Sequence, residues 1–227
     1  MQIVILTAGL GTRMKELTKN VPKNMLPVKG KPILAYKLEA LPDEIDEVIF
    51  VIGYLGNQIR QYFGDFYGGR KISYVVQKKL DGTGGAVHLI KDLIGNDFLV
   101  MNVDDLYLKK DVENVSRNEL ALLGLEITES NKFGVIEIDQ AGYLKKIIEK
   151  GEVIGTALAN VGLYKLNRNF FNYPLVDIGN GEFGLPQTLA VMAKDFPVKV
   201  EKASDWFPIG DPQQLEKAQE IIDKFTA

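Results

Sequence analysis

Residues 6–28 read Leu6-Thr7-Ala8-Gly9-Leu10-Gly11-Thr12-Arg13-Met14, a short polar run, then Val21-Pro22-Lys23-Asn24-Met25-Leu26-Pro27-Val28. The stretch follows an apolar strand, Ile3 to Leu6. Gly9 and Gly11 allow a loop with φ > 0 and a close approach of backbone N–H groups to a ligand. Arg13 and Lys23 set cations beside those amides, and amides with cations at the end of a strand describe a polyphosphate cradle. Two other glycine loops are excluded. A dinucleotide fingerprint needs a third Gly where Met14 stands and an acid about 20 residues on, where Lys29 and Lys31 occur instead. A P-loop needs Gly-Lys followed by Ser or Thr after four intervening residues, and none follows here.

Outward from this stretch, apolar strands alternate with amphipathic segments. Pro32 suits the first position of a helix with Ile33, Leu34, Leu38 and Leu41 on one face. Strands are expected at Glu47–Ile52, Ile72–Gln77 and Phe98–Val103, with helices at Asn57–Phe63, at 86–94 (Val87, Ile90, Leu93 and Ile94 on one stripe) and at Leu108–Asn118. This alternation predicts an α/β fold, a mostly parallel sheet with helices on both faces. After residue 118 the pattern changes. Leu120–Ile127, Val135–Asp139, Leu144–Glu149 and Ala157–Leu166 read as strands without intervening helices, with a turn at Gln140-Ala141-Gly142. An antiparallel insertion is expected there. A helix within Glu182–Asp195, a strand from Val198 and a last helix from Asp211-Pro212 complete the chain. The whole is expected to be one domain, 1–227, with the alternating part at 1–118 and the antiparallel insertion and C-terminal helix in 119–227.

Composition is that of an ordinary globular protein: 227 residues, 46% hydrophobic and 25% charged. No apolar run approaches the roughly 20 residues that cross a bilayer, and the N-terminus lacks the basic and apolar regions of a signal peptide. There is no cysteine, so disulfides and thiolate metal sites are excluded. A cytoplasmic protein without a membrane partner is expected. The net charge of −3 argues against general nucleic-acid binding. Residues 1–33 nevertheless hold Arg13, Lys15, Lys19, Lys23, Lys29 and Lys31 against Glu16 alone, a basic segment suited to a small anionic ligand.

Other stretches carry chemistry. Gln77 to Ala86 contains Gly82-Thr83-Gly84-Gly85, a glycine-rich turn leading into a helix. An amide such as Gln77 can donate and accept at once, which suits the edge of a pyrimidine ring. Asp104-Asp105 ends an apolar strand, where open α/β sheets place their ligand crevice. Two carboxylates there suit Mg²⁺, which takes one or two carboxylates plus substrate oxygens; Asp105 could instead cap the following turn. His88, the only histidine, has no catalytic partner in the pattern and reads as structural or solvated.

Ala8-Gly9-Leu10-Gly11-Thr12-Arg13-Met14 and Pro22-Lys23-Asn24-Met25-Leu26-Pro27-Val28, at this spacing, resemble the double signature of the sugar 1-phosphate nucleotidyltransferases, also called NDP-sugar pyrophosphorylases. The resemblance continues at intervals to the C-terminus. It implies the nucleotide-diphospho-sugar transferase fold, Rossmann-like with a small antiparallel sugar-binding insertion, in a short form lacking a C-terminal β-helix domain. It implies an enzyme that takes a nucleoside triphosphate and a sugar 1-phosphate to an NDP-sugar and pyrophosphate with Mg²⁺. By the same resemblance Ala8, Gly9, Gly11, Thr12 and Arg13 hold the nucleotide, and Gln77 and Gly82, with Thr83 beside them, meet the base. Arg13, Lys23 and Asp104 are the catalytic group, with Asp104 the metal ligand. Phe133-Gly134-Val135, Ile148-Glu149-Lys150 and Ala159-Asn160-Val161-Gly162 match family motifs, which assigns Gly134, Glu149, Lys150 and Asn160 to the sugar phosphate. By composition alone Glu149 and Lys150 are the end of a charged edge strand.

Two departures stand out. Gly151 replaces the family's usual Pro after Lys150. Trp206-Phe207-Pro208-Ile209-Gly210 replaces a Trp-x-Asp-x-Gly run, so Pro208 stands where relatives carry a second metal ligand. Asp205, Asp211 or water is left to fill that position. Two alternatives are a cytidylyltransferase for a choline or alditol phosphate and a non-catalytic nucleotide- or sugar-sensing domain. Glu149, Lys150 and Asn160 favour the sugar, and the retention of Arg13, Lys23 and Asp104 favours catalysis. Oligomeric state is not encoded in any of these features.

Overall fold

The computed structural model describes residues 1–128, 134–148 and 155–226. In chain order the first half runs β1 Gln2–Leu6, β2 Pro27–Val28, β3 Lys31–Pro32, α1 Ile33–Glu39, β4 Glu47–Ile52, α2 Gly56–Phe63, β5 Phe66–Tyr67, β6 Arg70–Val76, α3 Gly82–His88, β7 Asp97–Asn102, β8 Asp105–Tyr107 and α4 Lys109–Ser116. The second half runs β9 Ala121–Ile127, β10 Val135–Ile138, β11 Leu144–Ile148, β12 Ala157–Asn167, β13 Val176–Gly179, β14 Glu182–Gly184, α5 Leu185–Met192, β15 Lys199–Lys202, β16 Trp206–Pro208 and α6 Pro212–Ile221.

Ten of these strands form one sheet, in the order β11-β10-β12-β7-β1-β4-β6-β5, with β9 pairing β12 and β15. The centre, β7-β1-β4-β6, is parallel, with Ile3 facing Val48 on one side and Leu99 on the other. From β12 outward the pairings turn antiparallel, apart from β15 on β9. The antiparallel strands therefore extend the parallel sheet itself.

The alternation of side chains across a pleat decides the layers. In β1, Val4 points into the layer with Val87, Ile90, Leu185 and Leu189, beneath α3 and α5. Ile3 and Ile5 point the other way, against Leu34, Leu38, Ile59, Val112 and Val115 of α1, α2 and α4. Strands buried on both faces read as nearly continuous apolar runs, which is why Val4-Ile5-Leu6 and Val48-Ile49-Phe50-Val51 look alike. A third cluster joins Met14, Leu26, Val28 and Tyr36 to Leu106, Ile209, Ala218 and Phe225. It packs the C-terminal helix against the segment that follows the glycine loop. No helix among the described residues is long and apolar enough to cross a membrane.

Several boundaries differ from expectation. Pro32 has ψ 142° and pairs with Pro27 across β2 and β3, so α1 begins one residue later. The stripe from Val87 to Ile94 is helical only to His88 and then continues as turns, which bury Ile90 and Ile94 but leave Leu93 more than half exposed. The β13–β14 hairpin, which was not anticipated, turns at Gly179-Asn180-Gly181, all with positive φ. Asn-Gly between apolar residues is a strong short hairpin signal. The pairing of β8 with β16 was also unforeseen, because its partners lie about a hundred residues apart.

Candidate active site

The carboxyl ends of β1, β6 and β7 open on a cleft of about 530 Å³. Its lining includes Ala8, Gly9, Gly11, Thr12, Arg13 and Lys23 from the first loop, Gln77, Gly82 and Thr83 from the second, and Asp104 beyond β7. Every residue singled out for the nucleotide or for catalysis thus meets in one place.

Local chemistry explains how. Gly11 has φ 65°, and a Cβ there would come 2.9 Å from Cβ of Lys23. Glycine at 11 therefore lets the loop turn and lets Lys23 lie under it. The Gly11 carbonyl accepts hydrogen bonds from Met14 N–H and the Thr18 hydroxyl, which close the turn. Gly9 does not have a positive φ, contrary to expectation, and nothing lies within 4 Å of where its Cβ would be. Its lack of a side chain keeps the cleft wall open. Gly53 supports the loop from below, since a Cβ there would meet the Ala8 carbonyl at 2.6 Å.

Lys23 is buried along its stem, and its Nζ donates to Oδ2 of Asp104 at 2.8 Å. The Arg13 guanidinium, largely exposed, stands 4.0 Å from the same oxygen. Burial opposes ionisation of Asp104, but the charge and hydrogen bond of Lys23, a backbone N–H and the charge of Lys37 outweigh it and hold the carboxyl below the usual carboxylate range. The Asp104 carbonyl accepts from Ile209 N–H at 2.7 Å, so the segment after β16 clamps the turn that carries it.

Lys37 was not anticipated. It lies on α1 among apolar neighbours, only 4% exposed, and its Nζ donates to the carbonyls of Asn102 and Asp105 on either side of Asp104. It also sits over the Tyr107 ring, 4.5 Å from the centroid. Burial pulls its pKa down to about 8 against the opposing charge of Asp105. Asp105 is not a cap: it is buried within β8 and faces the Tyr107 hydroxyl. Burial pushes its carboxyl up to about 8, and Asp104 adds to the effect.

The two carboxylates considered as a second metal ligand are engaged elsewhere. Asp205 is ion-paired with Lys224 and accepts from Trp206 N–H. Asp211 caps α6, accepting from Gln214 N–H at 2.9 Å. Neither lines the cleft, whereas Gly210 does, and a Cβ there would come 3.1 Å from the Arg13 guanidinium.

Around the second loop, Gly82 has φ 87° and presses on the Phe183 backbone, where a Cβ would come 2.4 Å from the carbonyl oxygen. The Thr83 hydroxyl accepts from Leu185 N–H, tying the start of α5 to this loop. Ile178 and Glu182 of the unforeseen hairpin reach the cleft beside it. His88 packs edge-on against Phe171, ring centroids 5.8 Å apart, and does not line the cleft.

Of the sugar-side residues, Asn160 and Gly134 are neighbours, with Asn160 N–H donating to the Gly134 carbonyl at 2.8 Å. Asn160 sits at an irregularity in β12, where its side chain accepts from Gly162 N–H and donates to the Tyr164 hydroxyl. Gly162, with φ 77°, abuts Asn102 on the cleft wall. Asn160 and Gly134 thus stand next to the cleft without lining it. Glu149 and Lys150, with Phe133 and Gly151, lie outside the described residues.

A parallel α/β sheet whose strand ends carry a glycine loop, two cations and a facing carboxylate defines a protein class that handles nucleotide phosphates. Residues 2–224 match the model of the family described as nucleotidyl transferase, and the chain belongs to that family. It is 32% identical to the bifunctional protein GlmU of Methanocaldococcus jannaschii over all of this chain and 55% of that protein. The chain thus spans about half the length of that relative. It is 34% identical to D-glycero-alpha-D-manno-heptose 1-phosphate guanylyltransferase of Campylobacter jejuni, over 76% of this chain and 78% of that one. The crystal structure of HddC from Yersinia pseudotuberculosis superimposes with a TM-score of 0.76 at 28% identity, covering 96% of this chain and 98% of that chain.

Proposed function

We propose that this chain transfers a nucleotidyl group from a nucleoside triphosphate to a sugar 1-phosphate, releasing pyrophosphate. The observation that carries the reading is the convergence of Arg13, Lys23, Gln77 and Asp104 on one cleft at the carboxyl ends of the parallel strands. The relative named as a heptose 1-phosphate guanylyltransferase supports the same reaction class.

In this reading a phosphate oxygen of the sugar 1-phosphate attacks the α-phosphorus. The bond from that phosphorus to the bridging oxygen breaks, and pyrophosphate departs. The nucleophile is already ionised near neutral pH, because a phosphate monoester's second pKa is about 6. No general base is required, in keeping with a lone histidine that faces Phe171. Catalysis then rests on alignment and charge neutralisation. Arg13 and the loop amides from Gly9 to Thr12 hold the β- and γ-phosphates. Lys23 stabilises charge growing at the α-phosphate. Gln77 and Gly82 take the base, with Thr83 alongside, and Gly134, Asn160, Glu149 and Lys150 take the sugar phosphate.

The donor set suits Mg²⁺. Asp104 turns a carboxylate about one third exposed towards the cleft and commits Oδ2 to Lys23. Mg²⁺ binds through one or two carboxylates with water and substrate phosphates completing its shell. When bound, it would neutralise charge on the phosphate oxygens. We place the enzyme in the cytoplasm.

The test is pyrophosphate release over a panel of triphosphates crossed with sugar 1-phosphates, choline phosphate and an alditol phosphate. Release that requires a sugar 1-phosphate is expected. Release only with CTP and a non-sugar phosphate would convert the assignment to a cytidylyltransferase, and binding without release would mark a sensor.

A further inference from the structure

An amide side chain that meets a base can usually turn over and offer either its oxygen or its NH₂ group. Gln77 is restrained. Its Nε2 donates to Oδ1 of Asp81 at 2.9 Å and to the Gly82 carbonyl at 3.2 Å. A carboxylate and a carbonyl only accept, so the NH₂ group must face them, and both of its hydrogens are engaged. Among the described residues nothing donates to Oε1. Gln77 lines the cleft while only 6% exposed, so the orientation of this amide is fixed inside a confined wall.

Asp81 is itself seated. Its N–H donates to the Lys79 carbonyl, and its own carbonyl accepts from Phe183 N–H at 2.7 Å. Its carboxylate rests over Gly85, where a Cβ would come 2.2 Å from Oδ1. No residue larger than glycine could stand at 85 without evicting it. Two features, the bare backbone at Gly85 and the hydrogen bond to Gln77, thus hold one carboxylate against one amide.

We propose that Asp81 is a specificity-determining residue. It locks Gln77 as a hydrogen-bond acceptor, so that the cleft selects bases whose pairing-edge ring nitrogen carries a hydrogen. Uracil, thymine and guanine offer that N–H. Cytosine and adenine present a lone pair at the same position, which would face the Gln77 oxygen without a proton between them. The inference rests on the nucleotidyl-transfer reading and narrows its substrate class. Asp81 acts through Gln77 and not by touching the base.

The test measures binding of UTP, dTTP, GTP, CTP and ATP by calorimetry without sugar phosphate, so that no turnover intervenes. The best-bound triphosphate should be UTP, dTTP or GTP, ahead of CTP and ATP by about 10–100-fold, the scale of one mispaired buried polar group. Asp81→Asn conserves size but can donate to Gln77, which removes one of the two acceptor-only partners and leaves the Gly82 carbonyl alone to oppose turning of the amide. It should narrow the gap to CTP by about tenfold, and Asp81→Ala should do the same if the Asn variant folds poorly. A loss of packing alone would weaken all five triphosphates together and leave their ratios unchanged, which would overturn the role of Asp81. CTP or ATP binding best to the wild type would overturn the inference while leaving nucleotidyl transfer standing. Failure to bind any of the five would overturn both.

Discussion

The two sides of the sheet differ in how they make a binding surface. On the parallel side, β7, β1, β4 and β6 run in register and deliver loops from one end, so residues as far apart as Lys23, Gln77 and Asp104 reach a single cleft. On the antiparallel side, β12 carries the neighbouring surface through an irregularity between Asn160 and Tyr164. There Gly162 takes a positive φ and the Asn160 side chain ties the strand back to itself. Strands of both sides are buried on both faces, β9 and β12 as fully as β1 and β4. What sets the antiparallel side apart is the break in its ladder at Asn160, closed by a few polar bonds. Phosphate chemistry, which needs fixed charges, would sit on the first. Recognition of different sugars would sit on the second, where a few substitutions can reshape the strand.

That division is open to attack, most strongly at the cation and carboxylate pair. If the parallel side carries the chemistry, Asp104→Asn should reduce turnover below detection, and Lys23→Ala should lower kcat by roughly 10²–10³, the scale of losing one transition-state donor. The KM for triphosphate should change much less than kcat. A raised KM with kcat intact would assign Lys23 to ground-state binding. Near-normal turnover in Asp104→Asn would turn attention to Asp105, although that carboxylate is buried beneath the loop.

Lys37 sharpens the comparison, because it supports the parallel side without lining the cleft. Its ammonium bonds two carbonyls that flank Asp104. Lys37→Met keeps the stem and removes those bonds together with the charge facing Asp105. Stranding buried polar groups costs about 1–3 kcal/mol each, so denaturant unfolding should show a loss of about 2–6 kcal/mol for the two carbonyls. Unchanged stability would mean that the carbonyls find water instead.

How far the sequence disclosed these features depends on the range of the forces behind them. Glycine at 11, the alternation of strands and helices and the carboxylate ending β7 are local signals with local causes. Lys37 was hidden because a lysine on an amphipathic helix reads as solvated, and only the position of β8 makes it a buried anchor. The β13–β14 hairpin carried a legible turn in Gly179-Asn180-Gly181 that was overlooked. The pairing of Pro208 with Asp105 could not be read, since nothing local links the two segments.

On the antiparallel side, Asn160→Ala removes bonds to Gly162 and Tyr164 within the strand. If Asn160 serves the sugar, KM for sugar phosphate should rise about tenfold, as for one lost hydrogen bond of about 1–1.5 kcal/mol. The KM for triphosphate should hold. An equal rise in both would mean that the irregularity in β12 supports the whole cleft, and the division between the two sides would fail.

The smallest effect concerns Asp205 and Asp211, which border the clamp at Ile209 without lining the cleft. Asp211 accepts from Gln214 N–H at the start of α6, and removal of such a cap costs about 1 kcal/mol. Asp211→Ala should therefore lower the melting temperature by a few degrees. Asp205→Asn breaks the pair with Lys224, and pairs this exposed contribute roughly 0–1 kcal/mol, so it should scarcely register in melting. Neither variant should move the Mg²⁺ dependence of the rate, because both carboxylates are already committed to the protein. A shift towards higher Mg²⁺ in either variant would show that nucleotide binding draws that carboxylate out of its present bond. The clamp beneath Asp104 would then belong to the reaction cycle, and the parallel side would be less rigid than its burial implies.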